Sequence, residues 1–405
     1  MGGVLDGLDD IDWPRLGHAY GSATDVPDQL RALRSPDRRA RQAALRGLFA
    51  NIFHQGSRYE ASAYAVPFLL ELVADPATPD ADSVLLLLTM LAVGYDERWV
   101  PDGFPVAEYR RAAEGGRELL AAKPSPWDGD DDEDEEEDVE YAYVESLTEE
   151  DQGRLWAYVE LSAYDAVRAG VPLFRDLLAH PDPGMRLGAA YALAWFPEDA
   201  AGSLPALIAA ADAAPEATEA ATALVAAGLL GCAPDAGLLT DPRPQVRWAA
   251  AVGRARVLGV DADEPTAEEL LRWAASAVRP QGDGPTVPFL DGDLAGYAGL
   301  SLRLLGPRHA DRAFDALLNR LPAVGGEEAL AVATEALRLA FPDGRLTAGT
   351  PPAALTPRQR RLVEALAHSP QPWLLDGRPF GNVAMLVADY GLPRSREALL
   401  AYAAG

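Results

Sequence analysis

Val171-Pro172-Leu173-Phe174-Arg175-Asp176-Leu177-Leu178, then His180-Pro181-Asp182-Pro183-Gly184-Met185-Arg186, then Ala189-Ala190-Tyr191-Ala192-Leu193: the order of these three pieces decides the fold of the 405-residue chain. The first places its apolar residues on one face of a helix. The second is a Pro/Gly/Asp corner that a helix crosses only with difficulty, because proline lacks the amide proton and clashes with the preceding turn. The third is a helix whose alanines let a neighbour come close.

The same grammar recurs outward from this point. Leu238–Leu239 is followed by Thr240-Asp241-Pro242-Arg243-Pro244-Gln245-Val246-Arg247 and then Trp248-Ala249-Ala250-Ala251. Near the start, Leu30–Arg34 is followed by Ser35-Pro36-Asp37 and Ala40-Arg41-Gln42-Ala43-Ala44-Leu45. Another first helix reads Ala65-Val66-Pro67-Phe68-Leu69-Leu70-Glu71-Leu72-Val73 and ends at Ala74-Asp75-Pro76. Pro183 and Pro244 are 61 residues apart and Pro172 and Pro205 are 33 apart, so a unit of about thirty residues repeats. The expected class is all-α, an α-solenoid (superhelix) of stacked antiparallel helix pairs.

This pattern resembles the HEAT repeat, and especially the shorter bacterial variety described from bilin lyases. The matching marks are a proline early in the first helix (Pro67, Pro172, Pro205), the Asp/Pro corner, and an arginine opening the second helix (Arg41, Arg186, Arg247). The resemblance covers residues 26–76 and 165–260. It implies that each such arginine pairs with an acidic group at the neighbouring corner, a structural role. It implies architecture rather than activity.

The remaining helices are placed by their caps. Thr266 with Glu269 predicts a helix to Arg279, Thr356-Pro357-Arg358-Gln359 a capping box with proline at the first helical position, and Ser395 the last helix. Gln281–Pro288 and Pro342–Pro352 read as loops. The domain reading is a lead-in and first repeats over 1–123, an acidic insertion over 124–147, central repeats over 148–280, and degenerate repeats with a cap over 281–405.

Charge narrows the partners. The 35 basic and 62 acidic residues leave a net charge of −27. Sequence-independent nucleic-acid binding relies on Lys and Arg releasing phosphate counterions, so this balance argues against it. The arginines Arg38, Arg39, Arg41 and Arg358, Arg360, Arg361 read as solvated helix faces. A basic protein or peptide is the expected partner. Ten of the eleven residues from Asp128 to Asp138 are acidic: Asp128, Asp130, Asp131, Asp132, Glu133, Asp134, Glu135, Glu136, Glu137 and Asp138. Self-repulsion predicts an extended, solvated segment, a candidate tether for a basic partner. It is not a calcium loop, since Glu133 replaces the required glycine and Val139 the final ligand.

The densest polar chemistry runs Asn51-Ile52-Phe53-His54-Gln55-Gly56-Ser57-Arg58-Tyr59-Glu60. Asn51, His54 and Gln55 are expected on one helical face, with Gly56 as a helix stop and Glu60 in the first turn of the next helix. His18 and Tyr20 are expected to pack nearby. His18, Tyr20, Asn51, His54, Gln55, Arg58, Tyr59 and Glu60 are therefore the candidate binding residues, against the alternative of a hydrogen-bonded corner that fixes one helix pair on the next.

Enzyme signatures such as HExxH, GxSxG and the P-loop are missing, so neither catalysis nor a cofactor or metal is expected. Cys232, the single cysteine, reads as a buried small residue and fits a reducing cytoplasm. Met1–Trp13 carries Asp6, Asp9, Asp10 and Asp12 and lacks signal-peptide character. The apolar run Val84–Val93 is too short to span a membrane. Lys123 is the only lysine, a usage expected of a GC-rich bacterial genome. The function expected is a monomeric, non-enzymatic scaffold for a protein or peptide. The alternatives are an immunity or antitoxin-like neutraliser of a toxin, and an enzyme on nucleic acid (glycosylase-like, using Trp195, Trp248 and Trp273) or a tetrapyrrole.

Overall fold

The computed structural model describes residues 3–124, 142–277, 286–347 and 349–405. These residues are mostly helical, with three two-residue β-hairpins. The acidic run Asp128–Asp138 lies outside the described residues, as do residues 281–285 of the loop expected before Pro288. No helix of the described chain is long and apolar enough to cross a membrane.

The corners form as their letters require. Asp182 caps helix Pro183–Leu193 by accepting from the amides of Gly184 and Met185, and Asp37 caps helix Arg38–Asn51 through the amide of Arg39. The arginine that follows reaches back over its own corner. Arg41 Nη1 donates to the carbonyls of Ser35 (2.9 Å) and Pro36 (3.2 Å). Arg186 Nη1 donates to those of His180 (2.8 Å) and Pro181 (2.9 Å). Arg247 Nη1 donates to those of Asp241 (2.7 Å) and Pro242 (3.4 Å). The three clasps are the same object, each holding carbonyls that the preceding helix cannot satisfy itself. Arg41 also reaches Asp80 at the next corner (2.8 Å), whereas Arg247 finds Glu269 within the following helix (3.6 Å).

Glu60 opens helix Glu60–Ala74, which contains Pro67, as expected, and Pro205 lies inside helix Ala200–Ala213. Several other sequence expectations are corrected. Thr266 does not open a helix. Asp263 caps helix Glu264–Ala274 by accepting from the Thr266 amide, and the helix stops at Ala274 rather than Arg279. Asn51, His54 and Gln55 do not share a helical face. The helix ends at Asn51, and residues 53–58 form a hairpin. Cys232 is half-buried rather than buried. The arginines near 360 are not simply solvated: Arg358 and Arg361 both lie over the Phe314 ring, within 5.5 and 5.3 Å, and pair with Asp311 and Asp315.

The chain divides into two compact units, Met1–Trp99 with Gly103–Ala210, and Val100–Asp102 with Ala211–Gly405. In the first, helices Glu60–Ala74, Ala81–Val93 and Glu149–Arg168 pack on one another, burying Leu69, Leu72, Leu88, Val159 and Tyr164. In the second, helices Ala217–Leu229 and Pro244–Leu258 meet at Gly228 and Gly253, where a side-chain carbon on Gly228 would fall 2.6 Å from the Gly253 Cα. Trp248 is wholly buried there and donates its indole proton to the Leu294 carbonyl. The C-terminal helices share a core built on Phe314, Leu337, Leu362, Leu366, Val383 and Leu399.

Candidate functional site

The candidate residues of the first unit are assembled by two hairpins. Gly17–His18 pairs with Gly21–Ser22, and Phe53–His54 pairs with Ser57–Arg58. The second hairpin turns through Gln55 (φ 50°) and Gly56 (φ 86°), the left-handed pair that a two-residue hairpin needs to match strand twist. Asp376-Gly377 makes the same turn between Leu374–Leu375 and Arg378–Pro379 in the other unit.

The two hairpins of the first unit touch. The Ala19 amide donates to the Asn51 carbonyl (3.0 Å), and the Tyr20 and His54 rings meet edge to face at 5.4 Å. Asp25 joins them from below. One of its oxygens faces His18 Nε2 (3.0 Å), and the other accepts from Asn51 Nδ2 and from Gln29 Nε2 (2.7 Å). Because His18 Nδ1 accepts from the Tyr20 amide (3.1 Å), the ring proton belongs on Nε2, directed at Asp25. Asp25 is a hub that the sequence reading missed, since an acidic residue at a helix start reads as an ordinary cap.

Arg58 is the main correction among the site residues. The strand alternation that turns Ser57 outward turns Arg58 inward, and its side chain is fully buried. Its Nη1 donates to the Gly56 carbonyl (2.7 Å), closing the hairpin on itself, while Nη2 lies 3.1 Å from Glu160 Oε2. Burial pushes the guanidinium pKa down and the Glu160 carboxylate pulls it back up. The Tyr109 hydroxyl beside the pair is pushed up by burial first and by Glu160 second. Arg58 therefore fixes the hairpin and is shielded from any partner. Nothing in the residue letters marks it as buried, and Glu160 is 102 positions away.

The remaining candidates divide between surface and cleft. Tyr20 is 62% exposed, and Gln55 and Ser57 stand exposed beside it. Tyr59 precedes helix Glu60–Ala74. Its amide donates to Ser62 Oγ (2.7 Å), whose own proton goes to the Ile52 carbonyl (2.6 Å), and burial raises its hydroxyl pKa. Glu60, the first residue of that helix, faces a cleft of about 240 Å³ lined also by Ala63, Tyr64, Leu120, Tyr158, Val159 and Ser162. Its Oε2 accepts from the Gly17 amide (3.5 Å) and holds Lys123 Nζ at 3.0 Å. Tyr64, Tyr158 and Ser162 were not singled out in the sequence, and Lys123 was noted only as the one lysine. The uniqueness of Lys123 and the four-residue step from Glu60 to Tyr64 were the available signals.

This arrangement offers hydrogen-bonding edges, two exposed aromatic rings and a carboxylate already gripping an ammonium. Among the described residues, no group of three or more His, Cys, Asp or Glu side chains is placed to hold a metal ion. Comparison with models of protein families and with curated proteins gave no match.

Proposed function

We propose that the chain is a non-enzymatic helical-repeat scaffold, an α-solenoid of stacked helix pairs, that binds a basic protein or peptide through an acidic surface. The observation that carries this reading is the clasp repeated at Arg41, Arg186 and Arg247, which supports one corner design reused along the chain. Repeated helix pairs spread contact over an extended surface instead of concentrating it in a deep pocket. The charge balance supplies the sign of the partner: a surplus of 27 negative charges attracts cations and slows approach to nucleic acid. The corner carrying Tyr20, His54, Gln55 and Glu60 is the part of this surface offered first.

The test is affinity capture from the native cell at low and high salt, with the full chain and with a chain lacking Asp128–Asp138. Enrichment of a basic protein that is lost at high salt supports the reading, since screening weakens contacts between exposed charges. Capture of nucleic acid, or of no protein with either chain, overturns it.

A further inference from the structure

We propose that the cleft beside Glu60 is a seat for a lysine side chain of the basic partner, and that Lys123 occupies the edge of this seat as an internal stand-in that the partner displaces. This rests on the scaffold reading above and names the group it recognises. The first observation is the pair itself. The Lys123 ammonium stands 3.0 Å from Glu60 Oε2, with the two side chains only 8% and 20% exposed. In a chain of 405 residues that uses arginine for every other cation, the one lysine places a compact point charge beside the Glu60 carboxylate. Arginine favours paired, planar contacts, and lysine a single-point contact.

The second observation is the space next to the pair. Glu60 is shared between Lys123 and the cleft, whose walls come from helices Glu60–Ala74, Gly116–Ala121 and Glu149–Arg168. Ala63, Leu120 and Val159 supply apolar wall for methylenes. Tyr64 and Tyr158 supply ring faces and hydroxyl oxygens, both of which favour an ammonium. At about 240 Å³ the cleft lies below the ~300–1,000 Å³ usual for small-molecule sites, which suits one inserted side chain. Tyr64, on the same helix face as Glu60, is 46% exposed, so the cleft opens outward. The competing account is that Lys123–Glu60 only fastens the short helix Gly116–Ala121 to its neighbour.

The single lysine makes the test direct. Reductive dimethylation with a ¹³C label keeps its charge and gives one side-chain NMR reporter in the full-length chain. Fluorescent octalysine serves as the probe, with binding followed in parallel by anisotropy. Displacement moves the Lys123 methyl resonance to the position it holds in Glu60→Gln. Lys123→Met, which removes the competitor, tightens octalysine binding about fivefold, the scale of one ion pair. The gain is absent in the Glu60→Gln/Lys123→Met double variant and with peptide acetylated on its lysines. Octalysine binding that leaves the Lys123 resonance in place overturns the proposal while the basic-partner reading stands. Failure of octalysine to bind at all overturns both. If Lys123→Met does not fold, the resonance measurement on the unmutated sequence decides alone.

Discussion

Arg58 stands 3.1 Å from a Glu160 carboxylate oxygen with its side chain wholly shielded from solvent, and the same guanidinium holds the Gly56 carbonyl of its own hairpin. A cation so placed is stabilising only while its partner is present. Arg58→Ala, or Glu160→Ala, is expected to reduce stability by about 3–5 kcal/mol, the scale of a broken buried pair. Arg58→Met, which keeps the volume and leaves only the part-exposed Glu160 carboxylate without its partner, costs less than Glu160→Ala, which strands the fully buried guanidinium. Denaturant titration of the three variants orders them.

The hairpin turn gives a prediction of opposite sign. Gln55 occupies the left-handed region at φ 50°, where asparagine and glycine are at ease and other residues are strained. Gln55→Asn is expected to raise stability by about 0.5–1 kcal/mol. Gly94→Ala does the reverse. Its φ is 73°, and a methyl there would fall 2.5 Å from Arg58 Nη1 and 2.9 Å from the Gly56 carbonyl oxygen. A loss of more than about 1 kcal/mol is expected. Thermal unfolding of both variants beside the parent chain checks the signs.

At the corners, Arg186→Ala removes two charge-assisted bonds to the carbonyls of His180 and Pro181, at a cost of about 1.5–3 kcal/mol. Lysine is a poor substitute, because it lacks the planar fork that reaches two carbonyls while serving a third partner. Arg247→Lys is therefore expected to keep less than half of the stability lost in Arg247→Ala, as measured by urea unfolding.

Two groups set separate pH windows. Burial alone raises the Glu198 pKa, but the Tyr164 hydroxyl and Arg110 outweigh it and hold the carboxyl below its usual 4.5. A depressed carboxyl stabilises the fold above its unfolded pKa, and that contribution is lost as pH falls through the folded value. Glu198→Gln is expected to flatten the acid limb below pH 4.5. His309 is held below 6.5 by burial and then by Arg308, whose Nε donates to His309 Nε2 at 2.8 Å. Its neutral form is the stabilising one, so stability declines as pH drops below 6.5, and His309→Asn removes that earlier decline. Urea midpoints from pH 3 to 8 separate the windows.

What the letters conveyed depended on distance along the chain. Thr356 and Ser395 cap their helices as read, because a cap is decided within three residues. The corner at Pro181–Pro183 was equally plain. Thr266 misled because Thr-x-x-Glu mimics a capping box, while Asp263, three positions earlier, takes the amide and leaves Thr266 buried. The hairpin at Phe53–Arg58 escaped because strands of two residues carry no periodicity, and Gln-Gly is a weaker turn signal than Asn-Gly. Within the candidate site, the meeting of Tyr20 with His54 lay within reach of sequence reasoning. The burial of Arg58 and the grip of Glu60 on Lys123 join positions 102 and 63 residues apart and belong to packing alone.

The corner clasp grips main chain through one arginine nitrogen. Ser35, His180 and Asp241 are three different residue types, yet each side chain accepts from the amide two positions on and each carbonyl faces an arginine six positions on. A side-chain acceptor at the first position and an arginine at the seventh are thus the two letters that the three corners have in common, and a serine, a histidine or an aspartate can spell the first.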